Sequence, residues 1–553
     1  MIVAAIAEGT PAAERVLAAA ESGPASTDGA IEIVFILLAA ATALAILARR
    51  FGIPYPILLV LGGLAVGFVP GLPRVELEPE LVFLLFLPPI LFGAGYFTSI
   101  RDFKANLRAI TLLSVGLVLT TTAVVGLVAF ALVPTLGLAG AFVLGAIVAP
   151  PDAVAATSIF QRLGVPRRAV TILEGESLVN DATALVAYRL AVVAVTTGAF
   201  SIAEAGLTFV AVATGGTLLG LAIGFVVSKL LMRVDDPVFS VVITFLAPIA
   251  AYLPAERLGL SGVLATVAAG IWVGRHAPRN MSSSVRVAGV AAWQVLLFLI
   301  NGAVFILIGL QLPTVLEGLG DRSPGELIGI AVAISITAIL VRIVWVFPAT
   351  YVPRALSAGI RAREAYPRPR NVFLVSWAGM RGVVSLAAAL ALPMATQAGA
   401  PFPERNLIIF LTFAVILATL VGQGLTLPLV IRGLRIVADG GDDHEESHAR
   451  MAAADAAARR IEELATEWPD HRELIDALRA QYDHRARDIE RHHTEGPADE
   501  SEREQLEHRI IRSAVIDAER EALLELRETG GIRDEIFRRV ERDLDLEELR
   551  LEA

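Results

Sequence analysis

The stretch of sequence that decides the fold is residues 175–182, which read Gly-Glu-Ser-Leu-Val-Asn-Asp-Ala. It places two carboxylates, an amide and a hydroxyl in a segment that is otherwise apolar enough to cross a bilayer. A charged side chain at the centre of a bilayer costs about 2.5–3.5 kcal/mol on insertion scales, so charges at that depth are rare and usually functional. The stretch therefore predicts a membrane helix that carries a polar site.

Helical spacing sorts the four polar side chains of this stretch into two pairs. Glu176 and Asn180 are four residues apart, and so are Ser177 and Asp181. Each pair lies on one face of a helix, and the two faces are adjacent. Oxygen ligands of mixed charge suit a hard cation or a proton. The pattern indicates an ion carrier.

The composition separates a membrane part from a charged tail. The 553 residues are 55% hydrophobic with a mean hydropathy of +0.66, which is far from a soluble globular protein. Of the 56 acidic and 46 basic residues, 34 and 18 lie at or after Ile436, which leaves 22 and 28 before it. No cysteine is present, so disulfides and Cys-ligated metals are excluded. We predict an N-terminal lead-in at 1–30, a transmembrane domain at 31–435 and a cytoplasmic acidic helical regulatory domain at 436–553.

Apolar segments near the length needed to cross a bilayer, about 20 residues, recur along the first 435 residues. We predict an all-α membrane protein with about thirteen transmembrane helices, at 31–48, 53–69, 80–98, 109–133, 137–159, 171–197, 204–232, 237–254, 259–274, 288–313, 325–350, 371–395 and 406–431.

Basic residues alternate between the loops that join these segments. One set of loops holds 18 lysines and arginines, and the alternate set holds only Arg74, Arg257, Arg322 and Arg405. Because cytoplasmic loops carry the excess of positive charge, the alternation supports the count of thirteen. It predicts a multi-pass protein of the plasma (inner) membrane with its N-terminus outside and its tail in the cytoplasm.

Two spans contain residues that break helices. Consecutive prolines before Asp152 remove backbone donors in the fifth span, and Arg381 lies between flexible glycines in the twelfth. Two six-span halves around the seventh span would put these breaks in equivalent positions, which points to the midplane site of a transporter. The breaking residues are Pro150, Pro151, Gly379 and Gly382.

Electrostatics suggests how the intramembrane charges divide their roles. Arg381 cannot lose its proton, so we expect a buried ion pair with Glu176, which Asn180 bridges. Asp181 is then the carboxylate left free for a proton and a cation to compete for.

Other polar residues in the spans leave alternatives open. Asp152 is either a site residue or a helix-end partner. Arg342 is expected to snorkel to the cytoplasmic face and is left outside the site, whereas Arg189 is ambiguous. Asn180 or Ser177 alone would most often join helices.

At these residues the chain resembles the monovalent cation/proton antiporter-1 family, which includes bacterial NhaP-like and animal sodium/proton exchangers. The resemblance covers roughly residues 30–435. It rests on residues 175–182, on Phe-Leu-Pro-Pro-Ile-Leu-Phe at 86–92, on Phe-Ile-Leu-Ile-Gly-Leu at 305–310 and on Gly-Met-Arg-Gly-Val-Val at 379–384.

The resemblance implies an NhaA-like inverted-repeat fold with a dimerisation domain and a mobile core domain, as a homodimer. It implies that Asp181 carries the ion or proton with help from Asn180 and Ser177, and that an Asn-Asp pair accompanies electroneutral exchange. Many members have Thr-Asp-Pro where this chain has Pro-Asp-Ala at 151–153. A threonine oxygen expected to ligate the cation is therefore missing, which bears on ion selectivity.

We therefore predict a secondary transporter, not an enzyme, that exchanges Na⁺ or Li⁺ for H⁺ in pH and sodium homeostasis. Its partners are membrane lipid, a second copy of the chain and the transported ions, and no cofactor is expected. A K⁺/H⁺ antiporter of the same fold is the nearest alternative. From other classes, Asp152 and Asp181 could form the dyad of an intramembrane aspartyl protease, or the chain could be a sensor whose output is the tail. The acidic tail argues against nucleic-acid binding.

Overall fold

The computed structural model describes residues 39–48, 50–51, 53–69, 80, 82–198, 201–320, 322–436, 441–494, 499–529 and 532–552. Over these residues the regular structure is helical, with one isolated β-bridge between Ala395 and Pro401. The chain divides into two compact units, and the boundary falls between residues 438 and 439. The predicted lead-in, 1–30, lies outside the described residues.

The first unit contains a long succession of apolar helices. In chain order they are α1 (Ala39–Ala48), α2 (Tyr55–Gly67), α3 (Val82–Phe97), α4 (Ile100–Ala105), α5 (Leu107–Leu132), α6 (Gly137–Val148), α7 (Ala153–Arg162), α8 (Arg167–Thr197), α9 (Ile202–Leu231), α10 (Pro237–Arg257), α11 (Gly262–Asn280), α12 (Ser283–Leu310), α13 (Leu312–Glu317), α14 (Pro324–Leu356), α15 (Ala358–Arg363), α16 (Pro369–Trp377), α17 (Val383–Leu390) and α18 (Arg405–Gly433).

Eight helical segments of the described residues are long and apolar enough to cross a membrane. They are α5, α6 with α7, α8, the apolar part of α9, α10, α12 with α13, α14 and α18. Three shorter apolar helices, α1 to α3, precede them. The prediction of an all-α membrane protein is confirmed, while the count of thirteen crossings stays a prediction.

Helix packing divides the first unit into two bundles. Bundle A consists of α1 to α3 and α9 to α12, and bundle B consists of α5 to α8, α14 and α16 to α18. The bundles meet where α8 lies against α3 and α11, where α12 lies against α17 and where α2 lies against α7, and one apolar cluster contains residues of both bundles. Bundle B contains two matched sets of three, each with an interrupted helix in the middle: α5, α6/α7, α8, and α14, α16/α17, α18.

The ends of α8, which carries residues 175–182, follow from local sequence. Pro166 precedes its first residue, and Gly198 ends it in the left-handed conformation (φ 72°). Glycine adopts this conformation without a steric penalty, so it is the usual residue just past a helix end. The long helix that results runs through the centre of bundle B, where it packs against α5, α6 and α7.

The second unit consists of two pairs of packed helices. They are α19 (Gly441–Glu467) with α20 (Arg472–Thr494), and α21 (Asp499–Glu528) with α22 (Asp534–Glu552). An ion pair joins the helices of each pair, Arg479–Glu462 at 2.6 Å in the first and Arg520–Glu548 at 2.8 Å in the second. Their buried apolar residues are Ala454, Ile461, Ile475, Ile516, Phe537 and Leu544.

Candidate functional site

Two interrupted helices cross inside bundle B. Residues 149–152 are unwound between α6 and α7, and residues 378–382 are unwound between α16 and α17. The unwound segments touch, because the Asp152 backbone N–H donates to the Met380 carbonyl at 2.6 Å. Both breaks lie where the prolines and glycines of the sequence predict them.

The unwound backbone finds polar partners on neighbouring helices. The Asn180 side-chain amide donates from Nδ2 to the Pro151 carbonyl at 2.8 Å. The Arg381 backbone N–H donates to Thr419 Oγ1 at 3.1 Å, and Thr419 lies in a π-helical turn of α18, Ala418–Gln423. Irregular backbone at membrane depth is tolerated only when protein groups satisfy it in this way.

The two glycines around Arg381 are explained by close approach. A Cβ atom at Gly382 would overlap the carboxylate of Asp152, and a Cβ atom at Gly379 would overlap the side chain of Arg342. Glycine is therefore the only residue that fits either position in this arrangement.

Glu176 forms its buried ion pair with Arg342. The Glu176 Oε1 to Arg342 Nη1 distance is 2.5 Å and the Oε2 to Nη2 distance is 2.8 Å, and both side chains are 1% exposed. Arg342 Nη2 also donates to the Val375 carbonyl at 3.2 Å, near the end of α16. The predicted Glu176–Arg381 pair is wrong, and so is the expectation that Arg342 snorkels. Two nitrogens of the Arg342 guanidinium, on α14, donate to the two carboxylate oxygens of Glu176, which is the geometry of a bidentate ion pair.

Arg381 is balanced by carbonyl oxygens in place of a carboxylate. It is 1% exposed, and its guanidinium donates to Val148 O at 3.1 Å, to Ala338 O at 3.3 Å and to the Gly379 carbonyl. Val148 is the last residue of α6, and the end of a helix exposes unsatisfied carbonyls with a partial negative charge. The break in the fifth span therefore supplies the counter-charge that the sequence-based interpretation assigned to Glu176.

Asp152 lies at the opposite kind of helix end. It caps α7, because its Oδ1 accepts from the Val154 N–H at 2.8 Å. Its carboxylate also lies against Gly382, the residue that precedes α17. A carboxylate is stabilised at helix N-termini. The crossing thus has an arginine at helix C-termini and an aspartate at helix N-termini.

A cavity of about 420 Å³ opens beside the crossing, between the two bundles. Asp181, which is 8% exposed, lines it together with Ser177 and Asp152. Walls from bundle A come from α3 and α12. The paired spacing in the sequence is reproduced, since Ser177 and Asp181 face the cavity while Glu176 and Asn180 do not line it.

The residues that line the cavity differ from the set predicted from the sequence. Asn180, predicted as a cation ligand, holds the Pro151 carbonyl and is absent from the wall. Glu174, Asn301 and Ser385 line the cavity and were missed. Only Glu174 had a usable signal, because it lies seven residues before Asp181 and so on the same helical face.

Comparison with known proteins gives a consistent result. The family model described as sodium/hydrogen exchanger, transmembrane, matches residues 35–433. A Mycobacterium tuberculosis protein named an uncharacterized Na⁺/H⁺ exchanger is 36% identical over 94% of this chain and 96% of its own length. A Bacillus subtilis protein named a sodium, potassium, lithium and rubidium/H⁺ antiporter is 35% identical over 91% of this chain and 76% of its own length.

A solved structure agrees at the level of the fold. The sodium proton antiporter MjNhaP1 from Methanocaldococcus jannaschii superimposes with a TM-score of 0.54 and 20% identity, over 73% of this chain and 98% of that one. At this level of identity the likeness shows a shared fold over that part of the chain.

Proposed function

The chain belongs to the sodium/hydrogen exchanger family, and from that premise we propose that it exchanges a monovalent cation for a proton through the carboxylate of Asp181. One observation carries the assignment to this residue. Of the two acids in residues 175–182, Glu176 is neutralised by Arg342, whereas Asp181 faces the cavity without such a partner among the described residues. Asp181 is thus available to hold either a proton or a cation, but not both.

The exchange is electroneutral in this proposal. Asp152 is committed to the N-terminus of α7, which it caps, so Asp181 is the one carboxylate at the crossing that exchanges a bound proton for a cation in each cycle. One cation then replaces one proton on Asp181. Ser177, one turn earlier on the same face, contributes a neutral oxygen to the cation, and Asn180 positions the Pro151 break.

The cavity faces the cytoplasm in this conformation. Its wall reaches Thr98 and the exposed Gln161, which adjoin the predicted inner loops with Arg101 and Arg162. Basic loops mark the cytoplasmic side. We place thirteen crossings in the plasma membrane, with the N-terminus outside and the tail inside. A homodimer anchors bundle A while bundle B moves the site between the two faces.

Na⁺ is the first candidate for the cation, with Li⁺ beside it. K⁺ is a second candidate, because the Bacillus subtilis relative is named for potassium and rubidium as well as sodium and lithium. An intramembrane protease fits poorly, since the family is one of transporters and Asp152 is held at a helix end.

Ion substitution in vesicles tests the proposed exchange. Proteoliposomes with an imposed pH gradient receive Na⁺, Li⁺ or K⁺ in turn, and proton efflux is followed with a pH-sensitive dye. Efflux that depends on Na⁺ or Li⁺, without generation of a membrane potential, is expected. Efflux on K⁺ alone would change the substrate and keep the site. Absence of cation-dependent flux from folded protein would refute the proposed function.

A further inference from the structure

Ser385 carries a buried hydroxyl that has no partner. The residue is 2% exposed, and its Oγ makes no hydrogen bond within the part of the chain that the structure describes. Buried polar atoms nearly always have a partner, and an unsatisfied one costs about 1–3 kcal/mol. A partner from outside the chain is therefore expected at this position.

The position of Ser385 indicates what that partner is. It lines the cavity that also holds Asp181, Ser177 and Asp152. It is the third residue of α17, the half-helix that begins next to Gly382, where the backbone contacts Asp152. The second interrupted helix therefore brings this hydroxyl to the cavity that Asp181 and Ser177 of α8 also line.

Burial without a hydrogen-bond partner does not by itself distinguish Ser385, because other hydroxyls share it. Four more hydroxyls of the described chain are buried without a partner, and none of them lines this cavity. Of these five hydroxyls, that of Ser385 is the one that both lacks a partner and belongs to a residue of the cavity wall. The four others belong to Ser114, Thr121, Ser228 and Thr412.

We propose that Ser385 Oγ is a further ligand of the transported cation and that it sets part of the preference among monovalent cations. This inference rests on the proposed exchange at Asp181. A hard cation prefers several oxygen ligands of mixed charge, and Ser385 adds a neutral oxygen to those of Asp181 and Ser177. A neutral ligand held by helix packing favours cations whose size fits the distance between α8 and α17. Removal of the Ser385 hydroxyl therefore changes the ratio of cation affinities, whereas Asp181 still binds and releases a proton.

The test compares Ser385→Ala with Ser385→Thr, which keeps the hydroxyl. Ser376→Ala is the matched control, because Ser376 is a buried serine on α16, the other half of the same interrupted helix, and its Oγ donates to Phe373 O at 2.7 Å. Full-length protein in proteoliposomes is assayed for the half-saturating concentration and maximal rate with Na⁺, Li⁺ and K⁺ separately.

Ser385→Ala is expected to raise the half-saturating concentration of the preferred cation about three- to tenfold, the range of a neutral hydrogen-bond-strength contact. The half-saturating concentrations of the other two cations should rise less, and the maximal rate should be unchanged. Ser385→Thr should recover most of the affinity, and Ser376→Ala should resemble wild type.

Equal changes for all three cations, or unchanged affinities with a folded protein, would overturn the inference, because a hydroxyl that only packs or holds water alters no cation ratio. Folding is followed by the monodispersity of the detergent-purified protein, and if Ser385→Ala does not fold, the ratio measured for Ser385→Gly, which also removes the hydroxyl, decides between the same two results. Wild-type protein without any cation-dependent flux would refute the exchange function itself, a result separate from the comparison of variants.

Discussion

Four charged side chains near the crossing have fixed partners, and the partner decides the role of each. Arg342 neutralises Glu176 directly. Carbonyl oxygens hold Arg381, including that of Val148 at the end of α6, and the N-terminus of α7 holds Asp152. Asp181 lines the cavity without a hydrogen-bond or ion-pair partner among the described residues. A charge that has no protein partner is costly to bury away from water. Asp181 is therefore the carboxylate that exchanges a bound proton for a cation.

The Glu176–Arg342 pair gives a prediction about stability. Glu176→Gln and Arg342→Gln should each lower the free energy of unfolding by about 3–5 kcal/mol, because each leaves a buried charge unpaired. Exchanging the two charges, Glu176→Arg with Arg342→Glu, should destabilise less than the sum of the single reversals. Thermal denaturation of the detergent-purified protein measures the effect.

The matched control exchanges Glu176 with Arg381. Because the Arg381 guanidinium donates to carbonyl oxygens and not to Glu176, this double reversal should recover none of the lost stability. Recovery with Arg381 and not with Arg342 would contradict the pairing in the structure.

At the scale of single residues, the sequence predicted which polar side chains share a helical face. It did not predict which residue each buried charge pairs with. Residues 175–182 are enough to place Ser177 and Asp181 on one helical face. Two intramembrane arginines were available to Glu176, and nothing local distinguishes Arg342 from Arg381. The choice depends on which arginine meets free carbonyls, and that is a property of the crossing as a whole.

At the scale of the elements, the crossing depends on contact between two unwound segments. Gly382→Ala should abolish or strongly reduce exchange, because the added methyl group would meet the Asp152 carboxylate and separate the segments. Gly422→Ala is the control, since no atom lies near its added Cβ, and it should transport like wild type. Flux in proteoliposomes at equal protein content measures both, and wild-type flux in Gly382→Ala would show that the contact is dispensable.

The breaks themselves were predictable because proline and glycine act locally. Helix type and order were predictable for the same reason, since apolar length is a local property. The assignment of each helix to bundle A or bundle B was not, because the bundles are assembled from both halves of the chain.

At the scale of the whole molecule, the site lies where the two bundles meet. An ion pair joins them, from Arg189 on α8 to Glu256 on α10, at 2.6 Å. Arg189 follows Asp181 by eight residues, about 12 Å along the helix, on the side away from the cavity mouth. The proposed movement of bundle B relative to bundle A would separate these two residues.

Cross-linking tests this movement cleanly, because the chain contains no cysteine. Arg189→Cys with Glu256→Cys, joined by a short reversible thiol cross-linker, should stop exchange, and a reducing agent should restore it. Arg322→Cys with Glu404→Cys is the control, since that ion pair (2.7 Å) joins the segments before α14 and α18 of bundle B. Continued exchange while the first pair stays cross-linked would contradict relative movement of the bundles.

The measurement that tests the central claim most directly is proton flux with Asp181→Asn. Proteoliposomes under a pH gradient receive the preferred cation, with wild type and Asp236→Asn alongside. Asp236 caps α10 through its side-chain oxygen, and asparagine caps equally well, so this control makes the same chemical change away from the cavity. Cation-dependent flux is expected in wild type and Asp236→Asn and absent in Asp181→Asn of equal folded content. Exchange retained by Asp181→Asn would contradict the assignment of the carrier carboxylate.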